Sequence, residues 1–197
     1  MNLRAFLSSF LAILLVGALA ACAEQAADPP LKGASIGGPL NLVNQDGQRV
    51  SDASFAGKYR LLYFGFANCP DVCPVDLAVL GAGLRQFETD DPSRAERVQP
   101  IFITVDPERD TPAVLKRYVA NFHPRLIGLT GSEHEIQQVV TAYGGSALPD
   151  EPNEAGGYNV NHTRFILLMG PDNAPIAIVP HDQGADGVAQ ALDQWVR

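Results

Sequence analysis

Residues 59–66 read Tyr-Arg-Leu-Leu-Tyr-Phe-Gly-Phe, an almost unbroken apolar run of strand length. A strand with that pattern has no face to offer water, so it needs cover on both sides, the condition of a central strand in an α/β sheet. Pro74 then suits a first helical turn, and Leu77, Leu80, Leu84 and Phe87 recur at helical spacing. Gly81 and Gly83 oppose that helix by about 1 kcal/mol each. The scheme repeats: residues 98–105 read as a strand, and Asp110-Thr111-Pro112 opens a helix with the stripe Val114, Leu115, Tyr118, Val119 and Phe122. A short strand over Leu126–Leu129 follows. Ser132 and Glu135 then form a capping-box pattern before Ile136, Val139, Val140 and Tyr143, with Gly144 as the stop.

Leu40–Val43 and Arg49-Val50 flank the turn-rich stretch 44–48, so a β-hairpin opens the folded part. At the other end, Phe165–Met169 and Ile176–Val179 form two strands across Gly170-Pro171-Asp172-Asn173, and Val188, Leu192, Trp195 and Val196 mark a last helix. The order predicts an α/β fold with a mixed central sheet flanked by helices. Thioredoxin-like folds share this order with other α/β arrangements, so motifs must separate them.

Residues 1–21 carry one charge, Arg4, then an apolar run from Phe6 to Leu15 and small residues ending Leu19-Ala20-Ala21-Cys22. This pattern predicts a secretory signal peptide of the lipoprotein type. The Leu-Ala-Ala-Cys ending looks like a bacterial lipobox, which implies cleavage before Cys22 and lipid attachment to its thiol. An uncleaved membrane helix is the alternative, with the apolar stretch at the low edge of bilayer-spanning length. Residues 22–38 lack apolar periodicity and read as a flexible tether, leaving 39–197 as one domain held at an extracytoplasmic, periplasmic membrane face. With 14 Lys and Arg against 22 Asp and Glu and no basic block, the chain is unsuited to nucleic acid.

The chain has three cysteines. Cys69 and Cys73 lie just past the apolar strand where a helix begins, and ligand sites of open α/β sheets gather at such strand ends. A helix N-terminus favours the thiolate, which is both nucleophile and metal ligand. Spacing of four places the two Cα atoms about 6 Å apart, compatible with a disulfide or with chelation of one metal ion. Of the four histidines, His134 falls in a solvated first turn, while His123 and His181 read as surface or loop-orienting residues. His162 differs: a polar, Gly-rich stretch precedes it and a buried strand follows, the setting of a functional loop.

Tyr63-Phe64-Gly65-Phe66 through Cys69-Pro70-Asp71-Val72-Cys73-Pro74, the string Val105–Pro112 and Tyr158-Asn159-Val160-Asn161-His162-Thr163 together resemble the Sco/SenC family over about residues 38–197. The resemblance implies a thioredoxin-like, membrane-tethered copper protein that helps assemble the binuclear copper centre of cytochrome c oxidase. It places copper ligands on Cys69, Cys73 and His162, with Asp71 and Asp106 as residues that orient ligands or face a partner. Two thiolates and one imidazole suit Cu(I), and Cu(II) with an added donor. The implied partners are the copper-accepting oxidase subunit, other copper chaperones and thioredoxin-like reductants.

Two departures stand out. Family members often carry Asp-His-Ser around this histidine, where the chain has Asn161-His162-Thr163. Residues 146–157 are acidic and rich in Gly and Pro, suggesting a mobile flap that brings His162 to the thiols. The competing function is a thiol-disulfide oxidoreductase cycling Cys69 and Cys73 between dithiol and disulfide to keep an acceptor's cysteines reduced. A peroxidase is disfavoured, because the chain has no Thr-x-x-Cys nucleophile motif.

Overall fold

In a computed structural model, residues 27–197 are described. The expected signal peptide, Cys22 and the first part of the tether lie outside them.

The opening hairpin is β1 (Asn41–Asn44) and β2 (Arg49–Ser51). Three strands, β3 (Tyr59–Gly65), β4 (Val98–Thr104) and β5 (Ile127–Thr130), run parallel, and β8 (Ile166–Met169) with β9 (Pro175–Val179) forms the terminal antiparallel pair. Together they make a seven-stranded mixed sheet in the order β2-β1-β5-β4-β3-β8-β9. All seven residues of β3 are buried between β4 on one side and antiparallel β8 on the other, as its apolar run requires. A separate two-stranded ribbon pairs β6 (Ala147–Pro149) with β7 (Val160–His162).

The helices are α1 (Val72–Asp90), the short α2 (Pro92–Ala95), α3 (Pro112–Val119), α4 (Glu133–Ala142) and α5 (Gly184–Trp195). The Ser132/Glu135 capping box starts α4. Thr111 caps α3, accepting the Val114 N–H through its side chain, with Pro112 at the first helical position. The glycines of α1 are explained by close packing: a Cβ on Gly83 would lie 2.5 Å from Val188 Cβ of α5, and one on Gly81 would lie 2.5 Å from the Phe122 carbonyl oxygen.

The described end of the expected tether docks on the body. Leu31 donates its N–H to the Ile176 carbonyl at 3.0 Å, Gly37 donates to Ala142 at 2.8 Å, and Leu31 and Ile36 pack against the core. Two lone apolar residues at no regular period read as coil, yet each docks singly.

Candidate metal centre

The chain leaves β3 at Gly65 and turns through Phe66–Asp71 into α1, so both thiols lie beyond the carboxyl end of a buried strand. Cys69 N–H donates to the Phe66 carbonyl at 3.2 Å, closing the turn. Ala67 N–H donates to Asp110 Oδ2 at 2.9 Å, and Asp110, buried, also accepts the Thr104 hydroxyl at 2.6 Å. The Cys69 loop is thereby hooked onto the segment that follows β4. Gly65 makes room for the site, since a Cβ there would lie 3.0 Å from Cys73 Sγ.

Cys73 is fully buried and touches both partners expected from the sequence. Its N–H donates to Cys69 Sγ at 3.4 Å, and its own Sγ lies 3.4 Å from His162 Nε2. His162 ends β7, where the ribbon register pairs it with Ala147. Its ring stands edge-on to Phe66 at 5.8 Å between centroids, and Nδ1 lies 3.1 Å from the Thr163 carbonyl oxygen. A carbonyl only accepts, so Nδ1 carries the proton and Nε2 turns its lone pair toward Cys73, the orientation of a metal-binding imidazole. Among the described residues no three His, Cys, Asp or Glu side chains are gathered closely enough to hold a metal ion. Cys73 forms the common vertex, and the half-buried Cys69 lies on a loop open to a cleft of about 210 Å³ shared with Asp71 and His162.

Burial sets the protonation states. It pushes the Cys73 thiol up to about 12, with the neighbouring Cys69 adding to the rise. The helix N-terminus does not make Cys73 a thiolate, contrary to the expectation from sequence, because desolvation outweighs the dipole. Burial also lowers the affinity of His162 for a proton, keeping the imidazole neutral, and raises the Tyr63 phenol well above its ordinary value. A neutral thiol can therefore donate to Nε2 in the metal-free protein.

Asp71 is exposed at the start of α1 and makes no side-chain cap. Asp106 touches no thiol or imidazole. It is buried, pairs with Arg109 Nε at 2.5 Å and accepts the Tyr158 hydroxyl at 2.9 Å. The Arg109 guanidinium also lies 5.8 Å from the Phe66 ring, so Asp106 reaches the imidazole only through other side chains. Asn161 donates to Asp150 Oδ1 at 2.5 Å across the ribbon, which places a carboxylate beside the departure noted above. Within residues 146–157, Ala147–Pro149 form strand β6, with Thr163 N–H donating to Ser146 and Asp150 N–H to Asn159.

The remaining histidines stand apart from the thiols. His134 is exposed. His123 is buried instead of lying on the surface, at 3.3 Å from Glu88, and accepts the Arg125 N–H through Nδ1. His181 lies 3.6 Å from Asp76. Asp76, with Tyr63 and Arg164 on it, is a neighbour of the site that sequence reasoning missed. The available signal was its place three residues after Cys73, which keeps it on the same helical face.

Fold and site together define a thioredoxin-like protein with paired thiols past a strand end and one imidazole against the second of them. The chain belongs to the SCO1/SenC family, whose model matches residues 28–197. It is 38% identical over 164 residues to the mitochondrial protein SCO1 homolog 1 of Arabidopsis thaliana, covering 83% of this chain and 48% of that protein. It therefore spans about half the length of such curated relatives. The solved structure of Bradyrhizobium japonicum ScoI with copper bound superposes with a TM-score of 0.73 at 40% identity, covering 81% of this chain and 99% of that one. BsSco, described as a member of the Sco family of cytochrome c oxidase assembly proteins with a disulfide switch, matches with a TM-score of 0.63 at 26% identity, over 87% and 97% of the two chains.

Proposed function

We propose that Cys69, Cys73 and His162 hold a copper ion that this protein carries to an acceptor subunit during assembly of the binuclear copper centre of cytochrome c oxidase. The 3.4 Å contact between Cys73 Sγ and His162 Nε2 carries the reading. It sets a sulfur and a neutral imidazole nitrogen face to face, with the second sulfur on the adjoining loop. Two soft thiolates and one imidazole match Cu(I), which accepts low coordination, whereas structural zinc closes with four protein ligands. Both thiols lose their protons as the metal enters, so loading releases acid. The half-exposed Cys69 is the donor an acceptor thiolate can displace first, and the buried Cys73 the last to let go.

The same proposal takes Cys22 as the lipid-bearing residue and places the domain at an extracytoplasmic membrane face. Among the described residues no helix is long and apolar enough to cross a membrane. Cys69 and Cys73 also support a second reading, because two thiols four residues apart at a helix start lie within the reach of a disulfide. There they would be oxidised to a disulfide as an acceptor's disulfide is reduced to two thiols, two electrons and two protons passing to the acceptor, with a thioredoxin-like protein restoring the dithiol.

The test is anaerobic Cu(I) titration of the reduced full chain, wild type against Cys69→Ser, Cys73→Ser and His162→Ala. Stoichiometric binding with sulfur-to-copper absorption, weakened by each substitution, supports the metallochaperone. Weak binding indifferent to His162, beside a reversible two-electron thiol couple, transfers the role to the oxidoreductase.

A further inference from the structure

Asp76 lies one helical turn beyond Cys73, on the same face of α1, and is 3% exposed. Its carboxylate joins elements far apart in the chain. Oδ2 accepts the Tyr63 hydroxyl of β3 at 2.8 Å and Arg164 Nε at 3.0 Å, while Oδ1 accepts Arg164 Nη2 at 2.8 Å. The Arg164 contact is a two-pronged fork, which fixes direction as well as distance.

Arg164 is the second residue after His162, and its own amide nitrogen belongs to the peptide whose carbonyl, that of Thr163, faces His162 Nδ1 at 3.1 Å. We infer that the Asp76–Arg164 fork is the positioning device for the His162 imidazole: it pins the Thr163–Arg164 peptide to the helix that carries Cys73, and so fixes which ring nitrogen faces the thiol. The device accounts for a polar anchor in an otherwise apolar stretch. The Arg164 side chain is 46% exposed, yet both its prongs are turned onto a carboxylate that water barely reaches. An imidazole held only by the ribbon would hang from three-residue strands, whereas the fork ties it to α1 directly.

The inference rests on the copper-site reading for its functional meaning but not for its geometry, and the experiment separates the two. Nitrogen NMR of the metal-free full chain reports the His162 tautomer in wild type, Arg164→Met, Arg164→Lys and Asp76→Asn. The expected result is a single Nδ1–H tautomer in wild type and a mixture in each variant, including Arg164→Lys, which keeps charge and stem but cannot span both oxygens. Arg164→Lys also serves if Arg164→Met fails to fold. Cu(I) competition titration should then show affinity falling about ten- to a hundredfold in Arg164→Met, with no additional loss when the substitution is made in a His162→Ala background. A folded Arg164→Met protein that keeps the single tautomer overturns the inference, as does an equal loss of affinity with and without His162. Release of the tautomer in the variants, with a wild-type protein that holds the single tautomer but ignores copper, would leave the positioning device standing and remove the copper reading.

Discussion

The Arg109 guanidinium lies 3.6 Å from the centre of the Tyr158 ring and donates to the Tyr158 carbonyl at 3.0 Å, so one side chain grips both the ring and the backbone of a single residue. Asp106 completes the grip by taking the Tyr158 hydroxyl. This is how the loop between β6 and β7, devoid of a core of its own, is fastened beside the thiols. Tyr158→Ala should cost about 1–3 kcal/mol from the lost cation–π contact and hydrogen bond. Hydrogen exchange should quicken over residues 150–162 in particular, and uniform exchange across the chain would refute the anchoring role.

Asp110 is expected to matter more to the Cys69 loop than to the helix it precedes. Burial holds its carboxyl above the usual range, and it satisfies the Ala67 N–H and the Thr104 hydroxyl together. Asp110→Ala orphans both donors and should destabilise by about 2–4 kcal/mol. Asp110→Asn, which keeps an acceptor oxygen, should lose less. Urea unfolding of the two variants gives the order, and equal losses would contradict it.

Gly83→Ala should destabilise although alanine is the better helix former by about 1 kcal/mol. The new methyl would meet Val188 Cβ at 2.5 Å and the Ala185 carbonyl oxygen at 2.6 Å, both in α5. Overpacking of that kind costs about 1–3 kcal/mol, more than the propensity gain. A higher melting temperature for Gly83→Ala would show that α5 can move aside.

Burial lowers the His123 pKa below its ordinary value, against the opposing pull of Glu88. Below the unfolded value of about 6.5, the unfolded chain binds the proton more readily, so stability falls as pH drops toward the folded value. Above about pH 6.5 both states are neutral and the contribution is complete. His162, lowered chiefly by burial as well, adds to the same slope in the metal-free protein. Melting temperatures measured from pH 7.5 to 5 should fall less steeply in His123→Gln, and an unchanged slope would exclude this residue as a source.

Much of this structure was legible in local pattern. The β3 run, the Ser132 box and the α3 stripe each declare themselves within a few residues, and the thiols follow from where β3 ends. The β6–β7 ribbon was illegible because Ala147-Leu148-Pro149 carries a proline and leaves Leu148 69% exposed, so nothing local marks a strand. Its partner lies beyond a loop, and only the pairing defines it. Arg60 shows the same limit: a charge inside an apolar strand reads as a blemish, yet it is buried and held by Asp52 at 2.8 Å, with Tyr143 and Asn173 beside it. The protonation state of Cys73 also needed the third dimension, since sequence reveals the helix end but not the depth of burial that overrides it.

Leu31 is stitched to Ile176 at the beginning of β9, level with the start of β3, while the thiols stand past the other end of β3. The chain therefore leaves the body at the pole opposite the thiols. Held from Cys22, the molecule would stand on a short stem with its thiols pointing outward, so that an acceptor meets them on the side facing away from the lipid. Docking of Leu31 and Gly37 would then also take that part of the chain out of the stem, trading lateral sweep for a steadier height above a bilayer.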